Sequence, residues 1–436
     1  MLPAAPLPDF RSPAFLRAHV LDTMAFYEGR CVDPTGGLYQ FFLDDGRVYD
    51  PRTRHLVSST RYVFTHAMAA RHFARPDWQA VAGHALAFVR DVHGQPGHTG
   101  SGYAWTLDWH AGHATITDVT NHCYGLAFVL LAHAHAAMAG VPGARAGVDA
   151  TWQLMEQRFW QPAHGLYADE ADAAWHLSPY RGQNANMHAC EALMAAYRAT
   201  GDRRYLQRAG TVARAVTGTL AALSAGMAGI APACTGLVWE HYRADWSLDP
   251  DYNRDDPANL FRPWGFQVGH QAEWAKLLLQ LDALAPDPAW LPRARALFDA
   301  AMALGWDATH GGLVYGVAPD GTVCDGDKYH WVQAESLAAA AWLAQAVARA
   351  GGATPDARAA AAAQAASYWD WYDRLWTYAW THFVDHEHGA WYRILAPDNR
   401  KVTTEKSPAG KVDYHDMGAC YDVLAALGDG PPPLAN

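Results

Sequence analysis

An all-α fold, an (α/α)6 barrel of six helical hairpins with short β-hairpins on one rim, is what the sequence predicts, on three observations. A glycine followed by aromatic or apolar residues recurs six times, at Gly37-Leu-Tyr39, Gly102-Tyr-Ala-Trp105, Gly165-Leu-Tyr167, Gly236-Leu-Val-Trp239, Gly312-Leu-Val-Tyr315 and Gly389-Ala-Trp-Tyr392, at intervals of 63 to 77 residues. Each is followed by a polar, turn-rich stretch and then by a strongly apolar helix. Polar and aromatic residues gather at the same end of each of these helices. Repeats of this length stack to bury a shared core. Six of them with like ends fit closure into a ring better than an open solenoid.

Taken in order, the recurring helices begin near Arg61, Asn121, His188, His270, Trp331 and His415. The fourth shows the pattern best. Asn259-Leu-Phe-Arg-Pro263-Trp-Gly265 is loop-like, and Leu277, Leu278 and Leu281 behind His270 have the spacing of a buried helix face. A second set of helices lies between them, at Trp78–Val89, Gly147–Phe159, Tyr205–Leu223, Pro292–Leu304 and Ala357–Tyr378. Ala338–Ala350 and Ala359–Ala366 are good helix formers whose small side chains allow close approach. The glycine segments read as short strands, with turn residues after them at Pro319-Asp320-Gly321 and Pro397-Asp398-Asn399.

The 436 residues are half apolar and 18% charged, which suits one large globular domain spanning 1–436. A net charge of −11 with no basic block argues against nucleic acid or an anionic membrane as partner. Cys31, Cys123, Cys190, Cys234, Cys324 and Cys420 are far apart and form no Cys-x-x-Cys, so free thiols in a reducing compartment are expected. Prolines in the first eight residues do not fit a signal peptide, and no apolar run reaches spanning length. The expectation is a cytoplasmic protein, monomeric or homodimeric.

Ring closure would bring the six helix starts to one mouth. They supply Arg61, Asn121, Asn184 and Asn186 with His188, His270 with Glu273, Trp331 with Glu335, and His415. Polar groups of these kinds bind hydroxyls and tryptophan packs on a sugar ring, so a monosaccharide is the expected ligand. Residues three apart on a helix are neighbours, so Glu273 is expected to orient His270, and a histidine so held is a candidate acid/base. Each residue also has a purely structural reading: Arg61 as a core ion-pair partner, Asn121 as a helix cap, Trp331 as core, and Glu335 as the support of Arg61 or of a histidine. His122 and His330 are read as structural. His188-x-x-Glu191 and His270-x-x-Glu273 could in principle grip a divalent ion, but hard ions favour more carboxylates. No metal and no cofactor are expected.

Thr60-Arg61-Tyr, Asn184-Ala-Asn-Met-His188-Ala-Cys-Glu191, Gly269-His270-Gln-Ala-Glu273-Trp, Trp331-Val-Gln-Ala-Glu335 and Asp413-Tyr-His415 together resemble the N-acylglucosamine 2-epimerase superfamily, from about residue 10 to 427. Single motifs are weak, but five in order make a specific signal. The resemblance is strongest to its bacterial aldose–ketose isomerases, which interconvert mannose and fructose. It implies an (α/α)6 barrel and metal-free acid/base catalysis by two histidines, mapped onto His270 and His415. Arg61, Asn184, His188, Glu273, Trp331 and Glu335 map onto substrate-binding or supporting positions. Three rivals stand beside this reading: 2-epimerisation on the same scaffold, a glycosidase using Glu273 and Glu335 as paired carboxylates, and a sugar-binding module without catalysis.

Overall fold

The computed structural model describes residues 6–94, 102–259 and 261–431. Among them are twelve helices of at least twelve residues: α1 (Pro13–Tyr27), α2 (Leu56–Phe73), α3 (Pro76–Phe88), α4 (Cys123–Met138), α5 (Ala144–Arg158), α6 (Gln183–Thr200), α7 (Arg203–Arg214), α8 (Val268–Leu284), α9 (Trp290–Gly305), α10 (His330–Ala350), α11 (Pro355–His382) and α12 (Tyr414–Ala426).

The even-numbered helices form the inner ring. α2 packs on α4, α4 on α6, α6 on α8, α8 on α10, α10 on α12, and α12 returns to α2. Their composition explains their place. α8 is buried without a break from Val268 to Leu281, and α10 from Val332 to Ala344, where the alanine run keeps neighbouring backbones close. A helix apolar all round has to be surrounded by protein. The outer helices α3, α5, α7, α9 and α11 each pack on the inner helix before them. The outer position beside α12 is filled from the other end of the chain, by α1.

A second closure runs along the rim. The strand before each inner helix pairs antiparallel with a strand of the next unit: 53–55 with 106–110, 121–122 with 170–171, 181–182 with 241–242, 266–267 with 316–317, and 328–329 with 394–395. The sixth, 405–407, pairs with 41–43 of the first unit. Backbone hydrogen bonds therefore tie every inner-helix start to its neighbour. The (α/α)6 fold expected from the repeats is the fold observed. Several of the glycine segments form single bridges, such as Trp306 to Leu313 and Val384 to Trp391, with the paired strand a few residues later.

Two expectations about elements are corrected. Tyr205–Leu223 is not one α-helix, because α7 gives way at Ala215 to a π-helical stretch running to Leu220. Arg61 and His188 do not begin their helices but sit five residues inside them, one turn below the rim. The six cysteines are free, as expected, and five of them are buried.

Candidate active site

The inner helices start around a cavity of about 550 Å³, in the size range of small-molecule sites. Arg61, Asn184, His188, His270, Glu273, Trp331 and His415 all line it. Glu335 stands directly behind His415. Asn121 does not line it: its carbonyl accepts the Tyr103 N–H and its amide donates to the Asp172 carbonyl, which joins two rim segments. Asn186 is likewise occupied by the Tyr167 backbone, whereas the Asn184 Oδ1 is buried without a protein partner among the described residues.

Four histidines of the pit are each held through Nδ1 by a carboxylate. His415 Nδ1 lies 2.7 Å from Glu335 Oε1, and His188 Nδ1 lies 2.9 Å from Glu191 Oε2. His270 Nδ1 lies 2.9 Å from Glu240 Oε1, and His330 Nδ1 lies 2.8 Å from Asp416 Oδ1. A carboxylate accepts only, so Nδ1 carries the hydrogen and Nε2 keeps a lone pair when the ring is neutral.

The partner of His270 corrects the sequence expectation. Glu273, three residues on, makes no hydrogen bond to it. Glu240 does, from the segment just before strand 241–242, and the Gln183 amide nitrogen donates to its other oxygen at 3.0 Å. The Gln183 carbonyl is fixed in turn by the Trp274 indole at 2.7 Å. The i, i+3 geometry that failed for His270 holds for His188 and Glu191. Glu240 carries no local signal, since it is thirty residues away and reaches the ring through strand pairing. His330 was legible as a histidine beside Trp331 but not as a member of the pit.

His415 and His270 flank one indole. The Trp331 ring centroid is 5.0 Å from that of His270 and 5.8 Å from that of His415. Gly269 makes room for it, because a Cβ there would lie 2.4 Å from Trp331 Cζ3. Arg61 is wedged between the rings of Phe128 and Tyr414, each 4.5 Å from the guanidinium carbon. It donates to the Gly410 carbonyl, to Tyr124 Oη at 3.2 Å and towards His415 Nε2 at 3.3 Å.

Burial, with Arg61 and the other pit cations added, drives the His415 pKa well below the ordinary histidine value, so the ring is neutral at pH 7. Burial also lowers that of His188. Burial acts against the Glu191 carboxylate, but the hydrogen bonds from His188 and Tyr414 outweigh it and hold the pKa at about 2. Glu273 is the opposite case. Burial and the neighbouring Glu335 raise it well above the carboxylate range, and neither oxygen has a hydrogen-bond partner among the described residues. Lys276 Nζ lies 2.5 Å from Glu335 Oε2 and 3.1 Å from Asp422 Oδ2. His188, Glu191 and Glu273 bring potential metal-ligand atoms within 4.8 Å of one another, as do Glu273, Glu335 and His415.

The family model for N-acylglucosamine 2-epimerase matches residues 36–419. A D-mannose isomerase of Marinomonas mediterranea is 50% identical over 422 residues, covering 96% of this chain and 99% of that protein. A crystal structure of a D-mannose isomerase superposes with a TM-score of 0.87 at 50% identity, over 96% of this chain and 100% of that one. The cellobiose 2-epimerase of Spirochaeta thermophila shares the fold, with a TM-score of 0.77 at 22% identity over 98% of this chain and 99% of that one.

Proposed function

The chain belongs to the N-acylglucosamine 2-epimerase family, and from that premise we propose that it is an aldose–ketose isomerase interconverting D-mannose and D-fructose, with His270 and His415 as its acid/base pair. The observation that carries this is the full-length 50% identity to a D-mannose isomerase. The geometry supports it, since two carboxylate-held imidazoles meet the same indole in one pit.

In this mechanism mannose lies against Trp331. His270 moves a proton from O1 to O5, which opens the ring to the aldehyde. His415, neutral, and with Arg61 turned from its Nε2 to the substrate oxygen, removes the proton from C2, and the electron pair forms the C1–C2 double bond of a cis-enediolate with negative charge on O1. Arg61 donates to that oxygen, which is needed because a C2 proton is far less acidic than an imidazolium. His415 exchanges that proton with solvent and then protonates C1 on the same face, while the O2 proton leaves and O1 gains one. The product has lost hydrogen from C2 and O2 and gained it at C1 and O1. Glu240 and Glu335 set the tautomers. Glu273, neutral, offers a hydroxyl donor to the sugar.

The geometry gives less support to a glycosidase. Glu335 is saturated by Lys276 and His415, so Glu273 and Glu335 do not form a free acid and base. No helix among the described residues is long and apolar enough to cross a membrane.

The test is incubation with D-mannose in D2O plus chelator, followed by NMR. Fructose bearing one deuterium at C1, formed at a rate the chelator does not change, is the expected result. Glucose as the product would mean 2-epimerisation, and no change with any aldose would leave only binding.

A further inference from the structure

Two acid/base histidines and His188 do not exhaust the imidazoles of the pit. His330 is the first residue of α10, 4% exposed, and lines the cavity beside Trp331. Its ring centroid is 6.3 Å from that of His415. Asp416 takes its Nδ1 hydrogen at 2.8 Å, and Asp416 is itself buried, with Lys411 Nζ 3.7 Å from its other oxygen. Lys411 is bound in turn by Asp413 at 2.5 Å. This is a larger support than a packing residue requires. Nε2 has no hydrogen-bond partner among the described residues and is not one of the buried unsatisfied atoms, so it is open to the cavity.

Resting on the isomerase reading above, we propose that His330 is a specificity-determining, substrate-binding residue whose Nε2 lone pair accepts a hydrogen bond from one of the non-reacting O3, O4 and O6 hydroxyls of the sugar. Burial and the charges of Lys411 and Arg61 keep the ring neutral, which preserves that lone pair at pH 7. Arg61 can only donate, so it cannot satisfy a hydroxyl hydrogen. A hydroxyl hydrogen left unpaired in a buried site is costly, which makes such an acceptor selective.

The experiment compares kcat and KM for D-mannose and its 3-deoxy, 4-deoxy and 6-deoxy analogues in the wild type, His330→Phe and His330→Gln. The wild type is expected to lose about tenfold or more in kcat/KM on one of the three analogues. His330→Phe should lose a comparable factor on mannose, mostly in KM, and match the wild type on that one analogue. His330→Gln, whose carbonyl can accept, should recover part of the loss. The proposal is overturned if His330→Phe slows all four sugars by one factor, or leaves mannose unaffected. It is also overturned, with no variant needed, if the wild type treats the four sugars alike. A wild type that makes no ketose from mannose would remove the isomerase reading and this inference together.

Discussion

A histidine chooses which nitrogen to present by what holds the other one, and for His188, His270, His330 and His415 the holder is a carboxylate. That gives a sharp prediction at Glu240. Glutamine there can turn its amide towards Nδ1 of His270 and move the hydrogen to Nε2, the nitrogen that faces substrate. Glu240→Gln should lower kcat by on the order of 10²–10⁴ with little change in KM or thermal stability, measured by steady-state kinetics and circular dichroism. A kcat within twofold of wild type would show that Glu240 does not set the tautomer. The sequence exposed both rings but paired His270 with the wrong carboxylate. Helical spacing alone cannot tell which of two nearby acids a ring turns towards, and Glu240 comes near only when strand 181–182 pairs with 241–242. The same spacing holds for His188 and Glu191, where the other nearby acid, Glu273, stays 3.9 Å from Nδ1.

At the scale of elements, the start of α8 has to pass the indole carried by α10. Gly269 permits this: a methyl there would also lie 2.9 Å from Val332 Cγ2, so backbone and indole cannot both stay in place. Gly269→Ala should push Trp331 out from between the two histidines. It should cost about 1–3 kcal/mol of stability by overpacking and lower kcat/KM by on the order of tenfold or more. An active, equally stable variant would remove Trp331 as the shared platform. The start of α12 carries strain of another kind. Val412 and Asp413 have φ of +34° and +45°, a region non-glycine residues avoid, and Asp413 is anchored by Lys411 and by the Tyr27 hydroxyl of α1. That turn aims His415. Helix positions were legible because apolar runs and turn residues alternate so regularly. The helix α1 was not placed, since it precedes the first glycine segment, although Ser12-Pro13 is a readable helix start.

Across the whole molecule, the ring is closed twice, by α12 on α2 and by strand 405–407 on 41–43. The repeat made six units legible, but no local pattern shows that the last unit borrows its outer helix from the N-terminus. Building a ring from helices buried on all sides also buries many histidines as neutral rings. Burial holds His19, His66, His93 and His133 at about 4, and His55 and His135 at about 3, against about 6.5 when unfolded. Between those values the unfolded chain binds more protons. Their contribution to stability is therefore complete above pH 6.5 and is lost as pH falls towards 4 and 3. Asp169 and Asp325, raised by burial to about 7 and about 6, work in the other direction but are fewer. The midpoint of thermal unfolding should fall steadily from pH 7 to pH 4. A midpoint that is flat or rises over that range would contradict neutral burial of these rings.

The central claim is that His270 and His415 act on one two-carbon unit of the same sugar, and exchange of the mannose C2 proton with solvent tests it most directly. Exchange and ketose formation should both disappear in His270→Asn and in His415→Asn, each folded with a wild-type circular dichroism spectrum. Near wild-type exchange in either folded variant would contradict it.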